Sequence, residues 1–199
     1  MLLIGLGVEV VLSALVARLG TVEFAAYRIL NQPAGVSLTG IIGISTGIAI
    51  LAAQHLGAGD PESAAGYHRT GARIGLLLGT VPALPLLVAP AAVFGFFTPD
   101  IRVVGEASAA TLTGLLGLIP MAVAFSLSGL LRAAGDSRWV MVASVGSDIV
   151  ALIPLAWLLG LALGWGLNGV FIAWIAFACG YWAVIHLRYR TGRWPTAEV

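Results

Sequence analysis

The sequence lacks lysine altogether, contains a single cysteine, Cys179, and has few charged residues for a chain of 199 residues. Without lysine there is no phosphate-binding loop of the Gly-x-x-x-x-Gly-Lys type, so direct ATP hydrolysis is unsupported. A single cysteine excludes an internal disulfide and a site built from paired thiolates. The formal net charge of +1 gives no basis for binding nucleic acid.

Apolar residues dominate what is present. Hydrophobic residues make up 59% of the chain and charged residues only 10%, whereas ordinary soluble domains have about 45–50% and about 25%. Mean hydropathy is +1.01. The remaining polar sequence is too short to cover a soluble core of this size, and most charges lie at the ends of apolar runs. The sequence therefore predicts an all-α integral membrane protein that contacts the lipid bilayer.

Two polar turns divide the apolar runs, one at Gly57–Glu62 and one at Arg132–Arg138. In the first, Gly57 and Gly59 can end a helix in the left-handed region, while Asp60 and Pro61 are typical of the start of the next helix. Since crossing the bilayer takes about 20 residues, we expect residues 1–199 to form one six-helix membrane domain, with a tail at 188–199. The predicted spans are residues 1–19, 25–56, 74–97, 109–131, 139–163 and 170–187.

Proline and glycine positions predict local features of these spans. The second run is too long for one straight crossing, so we expect it to tilt or to bend at Pro33. Gly43 and Gly47 predict a close helix contact. We expect a short turn at 21–24 and an amphipathic or loop lead-in at 60–73. In the third run, glycines predict a packing seam and prolines predict a bend, at Gly71, Gly75, Gly79, Pro82, Pro85 and Pro90.

The arginines indicate an orientation. Seven of the ten basic residues lie on the side that holds both polar turns and the C-terminus, and three, Arg18, Arg28 and Arg102, lie on the other. Loops rich in arginine stay in the cytoplasm. The pattern predicts a multi-pass protein of the cell membrane, most naturally the cytoplasmic membrane of a prokaryote, with both termini in the cytoplasm.

Two carboxylates, Glu9 and Asp148, fall inside predicted spans. A charge at the bilayer centre costs about 3 kcal/mol unless it is neutralised, paired or wetted. Either acid can therefore bind and release a proton, or help to hold Na⁺ or an organic cation. The alternatives are that Glu9 reaches the interface from near a span end, and that Asp148 is only hydrogen-bonded to Ser144.

Asn31 and Gln32 precede Pro33 and are candidate substrate- or ion-binding groups, because a bent helix frees polar groups where water reaches it. Alternatively, they join neighbouring helices by hydrogen bonds. Gly43–Gly47 matches a Gly-x-Ser-x-Gly nucleophile motif, but it lies in an apolar helix without a nearby histidine. The three histidines lack metal-binding spacing. The sequence therefore predicts no enzyme, no metal site and no cofactor.

Four stretches resemble the C-terminal six-helix lobe of the multidrug and toxic compound extrusion (MATE) transporters. They are Leu19-Gly20-Thr21 with Phe24-Ala25-Ala26-Tyr27-Arg28-Ile29; Ala53-Gln54-His55-Leu56-Gly57-Ala58-Gly59-Asp60 with Ala64-Ala65; Leu130-Leu131-Arg132-Ala133-Ala134-Gly135-Asp136; and Arg190-Thr191-Gly192-Arg193-Trp194. The resemblance implies half of a twelve-helix antiporter that expels amphipathic, often cationic, small molecules in exchange for H⁺ or Na⁺, and a second six-helix lobe as partner.

The resemblance implies less about the site. Family members with a cation site in this lobe carry an acid in the first helix and another in the fourth, where Glu9 is displaced by about a turn and Met121 stands in place of the second acid. Asp148 matches no family site. Two other functions stay open: a non-functional or partner-requiring membrane lobe, and a flippase for lipid-linked precursors of the same superfamily.

Overall fold

A computed structural model describes residues 2–192, with side chains from Leu6 onward, and all its regular elements are helical. Met1 and residues 193–199, which include Arg193, Trp194 and most of the predicted tail, lie outside the described residues. The α-helices are α1 (Leu2–Ala17), α2 (Thr21–Gly57), α3 (Pro61–Thr80), α4 (Leu84–Val88), α5 (Pro90–Gly95), α6 (Ile101–Leu116), α7 (Leu118–Ala133), α8 (Ser137–Ser147), α9 (Ile153–Ala156) and α10 (Gly166–Arg190).

Four helical stretches of the described chain are long and apolar enough to cross a membrane: Thr21–Gly57, Ile101–Ala133, Ser137–Ala162 and Gly166–Arg190. The apolar part of α1, Leu6–Ala17, is shorter. The predicted third run is divided among the end of α3 and the short helices α4 and α5. The all-helical membrane class is thus confirmed, while two of the predicted runs are not single long helices.

The long helix α2 differs from the prediction at its start. It begins at Thr21, so the expected turn at 21–24 is wrong, and Glu23 lies in its first turn, where a negative charge favours the helix dipole. The helix continues through Pro33 for 37 residues. At 1.5 Å per residue this is about 55 Å, well above the hydrocarbon thickness of about 30 Å.

The first polar turn forms as the sequence predicts, with one shift. Gly59, at φ 76°, takes the left-handed conformation, while Gly57 stays in α2. Asp60 caps α3 by accepting a hydrogen bond from the Ser63 amide at 3.0 Å, and hydrogen bonding to Ser63 holds the pKa of Asp60 below its usual value. Because α3 starts at Pro61, the expected lead-in at 60–73 is helix. The helix ends at Thr80, where the prolines predict a bend.

The predicted glycine seam of α3 is confirmed. Gly71, Gly75 and Gly79 are all buried, and added Cβ atoms would meet Ile48, Ala122 and Ile41 respectively. These contacts pack α3 against α2 and α7. By contrast, no described atom lies within 4 Å of a Cβ built on Gly43 or Gly47, so the predicted contact at these two glycines is wrong within the described chain.

A break that the sequence analysis did not predict separates α6 from α7 at Gly117. The indole of Trp174 on α10 fills the space there, since a Cβ on Gly117 would lie 2.3 Å from the Trp174 Nε1 atom. Pro120, three residues later, lacks an amide donor. The predicted fourth span, 109–131, is therefore a pair of helices that starts at Ile101, and α7 is its most buried half.

Two π-helical segments, Asp148–Leu152 and Trp157–Ala162, flank α9, which contains Pro154. They complete the span that begins with α8. Beyond it, α10 returns to the end of the molecule that carries both polar turns, which we call the turn side. There Arg188 Nε donates to Asp136 at 2.7 Å, and the Arg188 guanidinium lies 5.4 Å from the Trp139 ring centroid.

Candidate functional site

A cavity of about 280 Å³ opens among α1, α2, α10 and the break between α6 and α7. Its polar groups come from Glu9, Tyr27 and Asn31, and the other walls are apolar or aromatic. Such a site offers a small number of polar groups in an apolar pocket, which is the usual composition of a small-molecule site. The remaining lining residues are Leu12, Ala34, Gly35, Leu38, Gly114, Leu118, Leu152, Val170, Phe171 and Trp174.

Glu9 is held in this cavity by polar neighbours on α1 and α2. The Tyr27 hydroxyl donates to its carboxylate at 3.3 Å, and the Ser13 hydroxyl donates at 3.5 Å. Arg28 lies 3.8 Å away, but the two side chains are 56% and 46% exposed, so their pairing is weak. The Glu9 carboxylate is therefore oriented by hydrogen bonds rather than locked in an ion pair.

Aromatic rings line part of the same cavity. The rings of Tyr27 and Phe171 stack with centroids 5.9 Å apart, and Trp174 also lines the cavity. The face of an aromatic ring attracts a cation, by about 0.5–2 kcal/mol depending on solvation. An acid in a cavity lined by aromatic rings is the arrangement that suits an organic cation with apolar groups.

The structure divides the four predicted site residues. Glu9 and Asn31 line the cavity together, while Gln32 lies on the exposed side of α2 and Asp148 belongs to a different span. Tyr27 was missed, although it lies one helical turn before Asn31 and so shares its face. Nothing in the sequence indicates that Phe171 or Trp174 would join them, because that contact joins positions more than 140 residues apart.

Asp148 lies in the first π-helical segment and is half-buried. Its backbone amide donates to the Ser144 carbonyl, but no hydrogen bond joins its carboxylate to the Ser144 hydroxyl within residues 2–192, so the side-chain bond that the sequence offers as the alternative does not form. The Tyr181 hydroxyl on α10 interacts electrostatically with both Asp148 and Arg132. Leu152, one turn beyond Asp148, reaches the Glu9 cavity, whereas Asp148 itself does not line it.

Gln32 belongs to an exposed stripe that follows α2 with helical spacing. We call this stripe the outer face of α2. Two of its hydroxyls bond to their own helix: Thr39 donates to the Gly35 carbonyl at 2.8 Å and Thr46 to the Ile42 carbonyl at 3.1 Å. Six of its nine residues are small or polar and three are apolar; in chain order they are Arg28, Gln32, Gly35, Val36, Thr39, Ile42, Gly43, Thr46 and Ile50.

Comparison with known proteins agrees with these features. The family model described as MatE matches residues 1–158. The "Probable multidrug resistance protein NorM" of Xanthomonas axonopodis pv. citri (strain 306) is 29% identical over 194 residues, which cover 97% of this chain and 42% of that protein. The protein of the same name from Xanthomonas campestris pv. campestris (strain ATCC 33913 / DSM 3586 / NCPPB 528 / LMG 568 / P 25) is 31% identical over 195 residues, covering 96% and 42%. The chain thus spans about two-fifths of the length of these relatives.

Proposed function

Because the chain belongs to the MatE family, we propose that it forms one lobe, the C-terminal one, of an antiporter that expels amphipathic or cationic small molecules in exchange for H⁺ or Na⁺. The name of the two relatives, multidrug resistance protein, supports efflux, and their greater length supports a second lobe. In this proposal the lobe has six crossings, with α3–α5 and α1 as the two irregular ones. No bond is made or broken in the substrate, so neither a cofactor nor enzymatic chemistry is needed.

The observation that carries the proposal is the Glu9 carboxylate in an aromatic cavity. Its negative charge and the rings of Phe171 and Trp174 together suit a cation with apolar groups. The same carboxylate can instead bind the coupling ion, and the two cannot be held at once by one charge. Competition of this kind is what an exchange mechanism needs, since a ligand shifts an equilibrium only by its differential affinity.

The outer face of α2 supports the presence of a second lobe. In hydrocarbon, an amide such as Gln32 has no partner, which is costly. In our proposal this face lines the water-filled cleft between the lobes, with Gln32 and Asn31 available to substrate. We also place the turn side in the cytoplasm, as the distribution of arginines predicts.

The test is efflux of a fluorescent organic cation from cells that express the natural full-length protein. We expect Glu9→Gln to abolish most of the efflux, because the amide keeps the shape of the side chain and loses its charge. Glu62→Gln is the matched control, since Glu62 is exposed in the first polar turn, far from the cavity along α2. This control is expected to retain full efflux at equal expression.

Equal efflux by Glu9→Gln and by the unmodified protein would contradict the assignment of Glu9. Efflux by the 199 residues alone would contradict the need for a second lobe. Absence of any efflux from a full-length, well-expressed protein would instead favour the partner-requiring or inactive lobe, or the lipid-precursor flippase of the same superfamily, and lipid-linked precursors would then be the next substrates to test.

A further inference from the structure

The carboxyl group of Asp148 lies near the middle of its span. It is the twelfth residue of the helical stretch that begins at Ser137, about 17 Å along the axis at 1.5 Å per residue. It begins a π-helical segment, and single π turns inside helices occur often at functional positions. No other charged residue lies between Val140 and Leu163, and within the described chain the carboxyl has no hydrogen-bond donor.

Tyr181 is the residue that interacts electrostatically with Asp148. It is 3% exposed, and its hydroxyl lies 2.9 Å from the Ser128 hydroxyl on α7. The Ser128 hydroxyl itself donates a hydrogen bond to the Ala124 carbonyl at 2.8 Å. Tyr181 must therefore be the donor to Ser128. Because the Tyr181 hydrogen is used in the bond to Ser128, the Tyr181 oxygen can accept a hydrogen bond from Asp148 but cannot donate one to it. Such a neighbour suits a protonated carboxylic acid rather than a carboxylate.

Arg132 supplies the other charge that acts on Tyr181. Its Nη2 donates to the Ser45 hydroxyl at 2.7 Å, and that hydroxyl donates to the Phe125 carbonyl. Its Nε is buried and has no hydrogen-bond partner, and no carboxylate pairs with it among residues 2–192. Within the described chain, Arg132 is thus a cation without a counterion and Asp148 is an acid without a hydrogen-bond donor. Both interact electrostatically with Tyr181.

We propose that Asp148 is a proton-binding site distinct from the Glu9 cavity, and that Tyr181, on which both Asp148 and Arg132 act, transmits its charge to the contact between α7 and α10. Protonation adds one hydrogen to a carboxylate oxygen and breaks no other bond. When the proton leaves, the new negative charge competes with Ser128 for the Tyr181 hydroxyl. The contact weakened in that way joins α7 to α10.

A proton fits this position better than Na⁺. A metal cation takes several oxygen ligands, and the described residues contain no group of three or more His, Cys, Asp or Glu side chains that could hold one. The charged or titratable groups on the elements packed against this span are Glu9 on α1, Arg132 on α7 and, on α10, Cys179, Tyr181, His186, Arg188, Tyr189 and Arg190, the last four towards the turn side. Arg138 lies at the start of the span itself.

The test is infrared spectroscopy of the natural full-length protein in lipid, following the carbonyl stretch of protonated carboxyl groups as the pH is raised. Labelling aspartate with ¹³C shifts only the aspartate part of this signal. The other aspartates of the chain, Asp60, Asp100 and Asp136, lie in turns outside the helices, and the second lobe can carry aspartates of its own. The signal of Asp148 is therefore the part of the shifted band at neutral pH that Asp148→Asn removes, and Glu9→Gln should leave that part unchanged.

A labelled signal at neutral pH that is absent, or that is equally large in Asp148→Asn, would overturn the proton site. If Asp148→Asn does not fold, Asp148→Glu keeps an acid at this position and should remove the same part of the labelled signal, because the glutamate carboxyl carries no label. For the coupling, Tyr181→Phe should move the pH at which the Asp148 signal disappears by about one unit, a tenfold change in proton affinity. An unmoved pH would refute the coupling. None of these readouts requires transport, so they stand apart from the efflux test.

Discussion

The outer face of α2 and the outer face of the span Ser137–Ala162 are both exposed, yet their chemistry differs. On α2 the exposed positions around the middle include Thr39, Gly43 and Thr46, together with the apolar Val36 and Ile42. On the other span the exposed side chains are large and apolar, among them Met141, Val142, Ile149, Val150, Trp157 and Leu158. Both faces are exposed, so the difference concerns what each is suited to contact.

Hydrocarbon gives no energetic reason to keep hydroxyl, amide or glycine positions at a helix surface, whereas a water-filled cleft or a second helix does. Large apolar side chains meet lipid tails at no cost. The comparison teaches that the two exposed surfaces suit different surroundings. The exposed side chains of the span Ser137–Ala162 suit contact with lipid, and those of α2 suit contact with water or protein. The Glu9 cavity opens beside α2, which agrees with that reading.

An arginine placed at matched depth should separate the two faces most strongly. Thr39 and Val150, the latter 78% exposed, lie near the middle of their helical stretches. We expect Val150→Arg to destabilise the protein by about 3 kcal/mol, the insertion cost of arginine at the bilayer centre, and Thr39→Arg to cost much less. The measurement is the free energy of unfolding in lipid together with the yield of folded protein. Equal costs would show that both faces meet hydrocarbon.

A second comparison uses the two sides of α2 and single methyl groups. Gly129 on α7 packs against the inner side of α2, where a Cβ would lie 2.4 Å from the Ser45 carbonyl oxygen. Gly129→Ala therefore forces backbone to move, and we expect a loss of about 1–3 kcal/mol. Gly43→Ala on the outer face meets no described atom, so it should gain up to about 1 kcal/mol from helix propensity. Unfolding in detergent measures both, and a loss at Gly43 as large as that at Gly129 would indicate a partner already packed there.

The smallest expected effect is on reactivity, because cysteine substitutions change little in the fold. Thr39→Cys should react with a water-soluble maleimide about tenfold faster than Val150→Cys, since only a thiol that meets water ionises and reacts. The natural Cys179 is first replaced by alanine to remove background labelling. Mass spectrometry of the labelled protein gives the two rates, and equal rates would contradict a wet outer face of α2.

Much of the helical architecture follows from local sequence. The caps at Asp60 and Asp100, the left-handed glycine at position 59, and the end of α3 before Pro82 all depend on neighbours within a few residues. The seam of glycines at positions 71, 75 and 79 depends only on helical spacing. The wrong prediction at Gly43 and Gly47 shows the limit of spacing. Glycines four residues apart mark a helix contact in α3, but in α2 the same spacing lies on a surface without a contact among the described residues.

The composition of the site depends on contacts between residues far apart in the sequence, which helical spacing cannot predict. Glu9 and Asn31 were identified by being polar in apolar runs, but their partners Phe171 and Trp174 are ordinary aromatic residues of a span. At the break, the space beside Gly117 is filled by Trp174, far away in sequence. The pairing of Arg132 with Ser45, across 87 positions, likewise results from the packing of α7 against α2 and has no local signature.

The ion pair between Arg188 and Asp136 has a consequence for how the molecule is made. Asp136 emerges from the ribosome more than fifty residues before its partner does, and chains are synthesised at about 5–20 residues per second. For that interval, seconds long, the second polar turn carries a carboxylate without its counterion and Trp139 without the guanidinium that covers it. Completion of α10 closes this contact, so the order of synthesis makes α10 the described element that completes the turn side.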